Sequence, residues 1–384
     1  TQSGLTDSDI VNNAKNNYST EFTTDDAKIS LVLDEKTAIR LYVKGVQPDG
    51  ENLKPSKQAN KDVYPSYYEI AGLTPDKLAD EQTVTIGGVD YKFSALSWAN
   101  RILNQENPSE KNLNMAKAVT AYYLAAHYYY LQNHPVDLSA LTENYEAKDG
   151  EVLTGELKEN VKISVADGAT VTLKDVTING VHDENYQWAG ITCVGDAELI
   201  IEGENTVSGF FSDYPGIYIA PGKTLTIDGT GSLNASSFGG AGIGGGNMIN
   251  CGNITINGGT VTANGGDSAA GIGGGWCDSC GNIVINGGTV TANGGVMGAG
   301  IGSPDGATCG DITINGGTVT AKGGALGAGI GCAYYGACGN ITIADTVTKV
   351  TATKGDDAPN SIGASSQGYC RTVTIADGAN VEQN

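Results

Sequence analysis

Three stretches of the chain can be laid over one another residue for residue, and a fourth begins in step with them. CGNITINGGTVTANGG starts at Cys251, CGNIVINGGTVTANGG at Cys280, CGDITINGGTVTAKGG at Cys309, and CGNITI at Cys338. Each step is 29 residues, and Ile243, Ile272, Ile301 and Ile330, each in a Gly-Ile-Gly setting, keep it. A constant period in a constant phase marks a repeat architecture, in which one supersecondary unit stacks on the next.

Each unit holds three short runs divided by glycine. In the unit from Cys251, Ile254 and Ile256 share one side of a strand with Thr255 on the other. Val261 stands between Thr260 and Thr262, and a brief AGIG run carries Ile272. This is the period-2 alternation of strands. One unit alone cannot bury so few apolar residues, but stacked units bury them as columns. The columns are Ile254/Ile283/Ile312/Ile341, Ile256/Ile285/Ile314/Ile343 and Val261/Val290/Val319/Val350.

The expected fold is therefore mainly β, a single-stranded parallel β-helix with coils about 4.8 Å apart. Asn-Gly and Gly-Gly are also strong hairpin turns, which makes a meander the competing reading. Runs of only four or five residues in a 29-residue phase favour the helix. Weaker echoes at 161–173, 189–193, 216–219, 222–227 and 361–375 bring the total to roughly eight coils.

Residues 1–138 follow other rules and read as a small α+β module. KISLVLDEKTAIRLYVKG (28–45), YYEIAGL and TVTIGGVDYKF alternate as strands, and two helices follow, near Ser94–Leu103 and from Pro108 to before Pro135. A solenoid needs its open ends covered, so this module is a candidate N-terminal cap for a β-helix occupying 139–384.

The repeats, written AGIGGG…CGNITINGGTVTANGG and preceded by VLTGEL…VTLKDVTING, resemble those of uncharacterised bacterial cell-surface and secreted proteins. Such repeats are called carbohydrate-binding-domain-like. The segment YYEIAGLTPDKLADEQTVTIGG…FSALSWAN is similar to a module of the same multidomain proteins. The resemblance implies a right-handed β-helix and an extracellular or cell-surface location in a bacterium. It also implies a place beside other domains of a larger surface protein.

A net charge of −21 argues against nucleic acid and anionic membrane surfaces as partners. No run approaches the roughly 18–20 apolar residues of a membrane span, so membrane insertion is not expected.

Cys251, Cys280, Cys309, Cys338 and Cys370 share one phase, just before the first strand of their coils. They are expected to stack as a structural column of thiols, because side chains in parallel register stay about one coil apart, beyond disulfide reach. Cys277 lies off that phase, and a local Cys277–Cys280 disulfide is the alternative. Metal is not expected: no His lies in the strong repeats, and no second CxxC accompanies GGWCDSCGN. No cofactor is expected, with Ca²⁺ left open.

Parallel β-helices include polysaccharide lyases and hydrolases, which need clustered acids with Lys or Arg, or paired carboxylates. Between 239 and 336 the only charged residues are Asp267, Asp278, Asp305, Asp311 and Lys322, and no Arg occurs from 102 to 370. A non-enzymatic protein is the expectation. The repeats differ mainly in one loop series: GGNMINCG, GGWCDSCG, GSPDGATCG, GCAYYGACG and ASSQGYCRT. A constant scaffold with one varying loop series places its variety on one edge.

That edge carries Trp276, Tyr334, Tyr335 and Tyr369, with Asp278 and Asp305 among them; the loops before AGIG add Phe210, Phe211, Tyr214 and Phe238. Aromatics beside hydrogen-bonding groups suit sugar rings. The expected function is adhesin-like binding of a polysaccharide or host glycan along this edge, and the alternative is a rigid spacer.

Overall fold

The computed structural model describes residues 134–384, together with residues 104–108, Leu131 and six strands between Ser19 and Phe93. The chain divides into two compact units, Thr1–His134 and Pro135–Asn384. In the first, Ser19–Thr24, Ala27–Val32, Arg40–Lys44 and Tyr67–Ala71 form an antiparallel sheet in chain order. Gln82–Ile86 and Val89–Phe93 form a hairpin. The two expected helices lie outside the described residues, apart from Leu131, which is helical.

The second unit is a parallel β-solenoid of about eight turns, with like residues stacked on like. Ile254, Ile283, Ile312 and Ile341 are partners in successive coils, as are Val261, Val290, Val319 and Val350. All eight side chains are fully buried. Burying one such side chain contributes about 1.5–3 kcal/mol. Two strands of each coil, of the Asn253–Ile256 and Thr260–Asn264 kind, build the first and second faces. The third face is a nine-stranded sheet running from Tyr145–Ala147 to Ile362–Gly363.

The solenoid begins earlier than position 139. Val136–Asp137 pair with Leu153–Thr154, and Leu138 is fully buried in the core. Residues 135–138, assigned by sequence to the first module, thus belong to the β-helix.

Polar side chains stack as regularly as the core. The Asn286 amide donates to Asn257 at 2.8 Å and the Asn315 amide to Asn286 at 2.9 Å. The side-chain oxygens of Asn253, Asn282 and Asp311 each accept the backbone N–H of the equivalent residue one coil on, at 2.7–2.8 Å. These ladders satisfy groups at the corners that would otherwise face one another unpaired. Sequence alone had marked these corners only by their glycines.

The third face departs most from a simple coil, because its strands are buried on both sides. Residues 241–246, 269–275, 298–304 and 327–333 are buried throughout. Loops from both ends of the strand fold back across it, and the Ala241 and Ala270 N–H groups donate to Gly245 and Gly274 at 2.9 and 3.0 Å. The glycine after each Ile answers to the neighbouring coil of the same face. Gly244, Gly273, Gly302, Gly331 and Gly363 have φ between +119° and +136°. A Cβ on Gly273 would lie 1.9 Å from the Gly302 oxygen, with the same 1.9 Å gap from Gly244 to Gly273. Only glycine fits that column.

Candidate functional site

Five loops leave the third face and return to the corner where the cysteines stack. Their tips share a backbone state and not a residue type. Met248, Cys277, Gly306, Tyr335 and Gln367 occupy one place in successive loops, all with φ between +52° and +66°. Left-handed backbone costs an ordinary residue about 1–2 kcal/mol, yet only one of the five is glycine. The tips are tied together by backbone bonds, Met248 N–H to the Trp276 oxygen at 2.9 Å and Gly306 N–H to the Tyr334 oxygen at 3.1 Å.

The places flanking the tip face opposite ways. On one side stand Asn247, Trp276, Asp305 and Tyr334; on the other, Ile249, Asp278 and Ala307. This corrects the expectation for Asp278, which was to sit on the exposed edge. It is 4% exposed, in the place its neighbours fill with Ile249 and Ala307. Its carboxylate fits because glycine stands both in the neighbouring coil and at the start of its own loop: a Cβ on Gly245 would lie 2.1 Å from Oδ2, and one on Gly274 2.7 Å from Oδ1. Neither oxygen has a hydrogen-bond partner of good geometry. Burial, opposed by the Gly275 N–H, pushes its pKa up to about 8.

Asp305 occupies the Trp276 place in its loop, so the two carboxylates do not sit at matching positions. Its Oδ1 is buried without a partner, and burial raises its pKa.

The cysteine column stands, with one correction. Cys280, Cys309, Cys338 and Cys370 are successive partners in a short parallel sheet at the corner. Cys251, Cys280 and Cys309 are free and buried, and Cys277 is free and exposed. Cys338 and Cys370, expected as thiols, form a disulfide with Cα atoms 4.6 Å apart. That separation is about one coil and lies within the range a disulfide spans, so parallel register did not keep these two side chains out of reach. No Cys277–Cys280 bond is present.

The aromatics separate into two groups. Tyr334 and Tyr335 meet edge to face at 4.3 Å, and Tyr335 and Tyr369 are exposed. Trp276, 39% exposed, lies in an earlier coil and faces a cleft of about 570 Å³. Phe238, 49% exposed, lines the same cleft from the opposite loop series, with His182, Asp213, Asn247 and Asp267. Phe210, by contrast, is core, packed on Trp188 at 5.7 Å.

Each wall of the cleft is held by named contacts. The Phe238 ring lies 4.3 Å from the His182 ring, and His182 Nδ1 is 3.1 Å from Ser212 Oγ. Asn247 donates through Nδ2 to Asp213 Oδ1 at 2.9 Å and through its backbone N–H to the Asp213 oxygen at 2.8 Å. Asn247 Oδ1 is left without a partner. A second, shallower groove of about 730 Å³ continues from Phe238 and Asp267 past Val296 and Ala325 towards Lys354.

Of the six residues expected to bind ligand, only Trp276 lines this cleft; Asp278, Asp305, Tyr334, Tyr335 and Tyr369 do not. Sequence reasoning missed His182, Asp213, Asn247 and Asp267. Asn247 was within reach, standing 29 residues before Trp276. Among the described residues, no group of three or more His, Cys, Asp or Glu side chains is arranged to hold a metal ion.

Residues 225–247, 254–276, 283–306 and 312–334 match the family model described as beta helix repeat. Each matched segment runs from a first-face strand into the loop that follows the third-face strand, so the recurring unit includes the loop that carries Trp276. The second unit is thus a parallel β-helix in which at least four coils match a beta helix repeat. No curated protein and no solved structure matches it.

Proposed function

We propose that this protein is a non-enzymatic binding protein of the bacterial cell surface that holds a glycan in the Trp276–Phe238 cleft. The carrying observation is that two exposed aromatic side chains, delivered by opposite loop series, line one cavity with His182, Asp213, Asn247 and Asp267. Aromatic faces take the C–H faces of a sugar ring, while amide and carboxylate groups take its hydroxyls. An extracellular setting agrees with the Cys338–Cys370 disulfide, since such bonds persist in oxidising compartments.

The test is titration with a panel of polysaccharides and mucin glycans, followed by tryptophan fluorescence and calorimetry. Saturable binding that Trp276→Ala or Phe238→Ala abolishes supports the reading. Binding that survives both substitutions removes the cleft from it. A second reading, a rigid spacer for other domains of a larger surface protein, is favoured by the unbroken nine-stranded ladder of the third face. Silence across the whole panel would leave the spacer standing.

A further inference from the structure

The last two coils hold three sulfurs where one disulfide needs two. Cys338 and Cys370 are bonded, and Cys332, at the end of the strand Ile330–Cys332, is free and buried. Its Sγ lies 3.7 Å from Cys370 Sγ and 3.9 Å from the Tyr369 oxygen. Room for that thiol is left by Gly368, where a Cβ would come within 2.8 Å of it. On the other flank of the bond, Cys309 is the column neighbour of Cys338, but its thiol is aimed away, at the Gly281 oxygen 3.6 Å off. Cys370 therefore has two candidate partners, Cys338 and Cys332, both in the preceding coil.

We propose that Cys332, Cys338 and Cys370 form a thiol–disulfide exchange site, in which the cross-link of the last coil passes between Cys338 and Cys332. The Cys332 thiolate attacks Cys370 Sγ, forming the Cys332–Cys370 bond. The Cys338–Cys370 bond breaks, and its electron pair leaves with Cys338 Sγ, which takes up the proton that Cys332 gave up. One disulfide is exchanged for another, so no oxidant or reductant is consumed. Burial raises the Cys332 pKa, so the attacking thiolate is scarce near neutrality and exchange quickens as pH rises.

Either bond ties the last coil to the one before it, across 32 residues for Cys338 or 38 for Cys332. The staple then outlasts the loss of either partner.

The experiment is disulfide mapping of the whole chain. Protein equilibrated in a reduced and oxidised glutathione buffer is alkylated under denaturing conditions, digested and analysed by mass spectrometry. The wild type is expected to yield both the Cys338–Cys370 and the Cys332–Cys370 peptides, the second appearing faster at higher pH. Cys338→Ser should retain one disulfide, Cys332–Cys370, and Cys332→Ser only Cys338–Cys370. Folded Cys338→Ser protein with Cys332 and Cys370 both alkylated, in a buffer that oxidises the wild type, overturns the proposal. If that variant does not fold, the wild-type time course decides, and absence of the Cys332–Cys370 peptide at every pH overturns it equally.

Discussion

Within one coil of this solenoid, two positions a few residues apart obey opposite rules. At the core position the residue repeats: Ile254, Ile283, Ile312 and Ile341 stack in register. At the loop tip the backbone repeats while the residue does not, as Met248, Cys277, Gly306, Tyr335 and Gln367 share one left-handed conformation. The core column is held by packing, which depends on side-chain shape. The tip column is held by hydrogen bonds between backbones, which do not depend on it. A scaffold built this way keeps its geometry while its surface chemistry changes coil by coil.

The comparison breaks most severely at the third-face glycines. Gly273→Ala would place a Cβ 1.9 Å from the Gly302 oxygen, against backbone that cannot yield locally. The expected loss is more than about 4 kcal/mol, in the range of exceptional single substitutions, read as loss of the cooperative melt by circular dichroism. A core column should yield less. Ile283→Ala is expected to cost about 3 kcal/mol, within the usual span for a buried cavity, measured by urea denaturation. The same substitution at Thr255, on the outer side of a neighbouring strand, should cost well under 1 kcal/mol.

Asp278 sharpens the contrast, because it brings a tip-loop residue into a core position. With its folded pKa pushed up to about 8, the folded chain holds a proton that the unfolded chain gives up above an ordinary carboxylate pKa near 4. The sign follows from linkage. This residue's destabilisation is absent below about pH 4, grows as pH rises through the window from 4 to 8, and levels off above 8. Asp278→Asn and Asp278→Ala should therefore melt at a higher temperature than the wild type at pH 8. The gap should close by pH 4. Equal melting temperatures at pH 8 would contradict this.

The smallest effect is expected at the tips. Tyr335→Gly should stabilise by up to about 1 kcal/mol, since relief of left-handed strain outweighs the added chain entropy. Gly306→Ala should destabilise by a similar amount. Opposite signs at two structurally equivalent places would show that the tip conformation is imposed by the scaffold.

How much of this could be read in the sequence follows the same division. The Ile and Val columns were legible because strand alternation and a 29-residue phase jointly specify which side chain points inward and what it meets. The cysteine column was legible on the same grounds. The covering of the third face was not, since periodicity says nothing about how far a loop folds back. Asp278 was misjudged for that reason: the varying loop was taken as surface throughout, while one of its positions turns inward. The cleft was hidden because His182 and Asp213 come from coils of irregular length. Ile191 pairs with Ile217 and Ile217 with Ile243, steps of 26 that the strong repeats do not predict. The loop place of Trp276 was legible because it lies where the phase is strict.

The left-handed tips carry one more consequence, for how such a surface can change. Exchanging one ordinary side chain for another there alters neither the backbone strain nor the backbone bonds that hold the loop. Methionine, tyrosine, cysteine and glutamine already stand at these places in a single molecule. The tips are thus a row of interchangeable sockets at one-coil intervals, where lineages or engineers can rewrite what the rod presents without renegotiating how it folds.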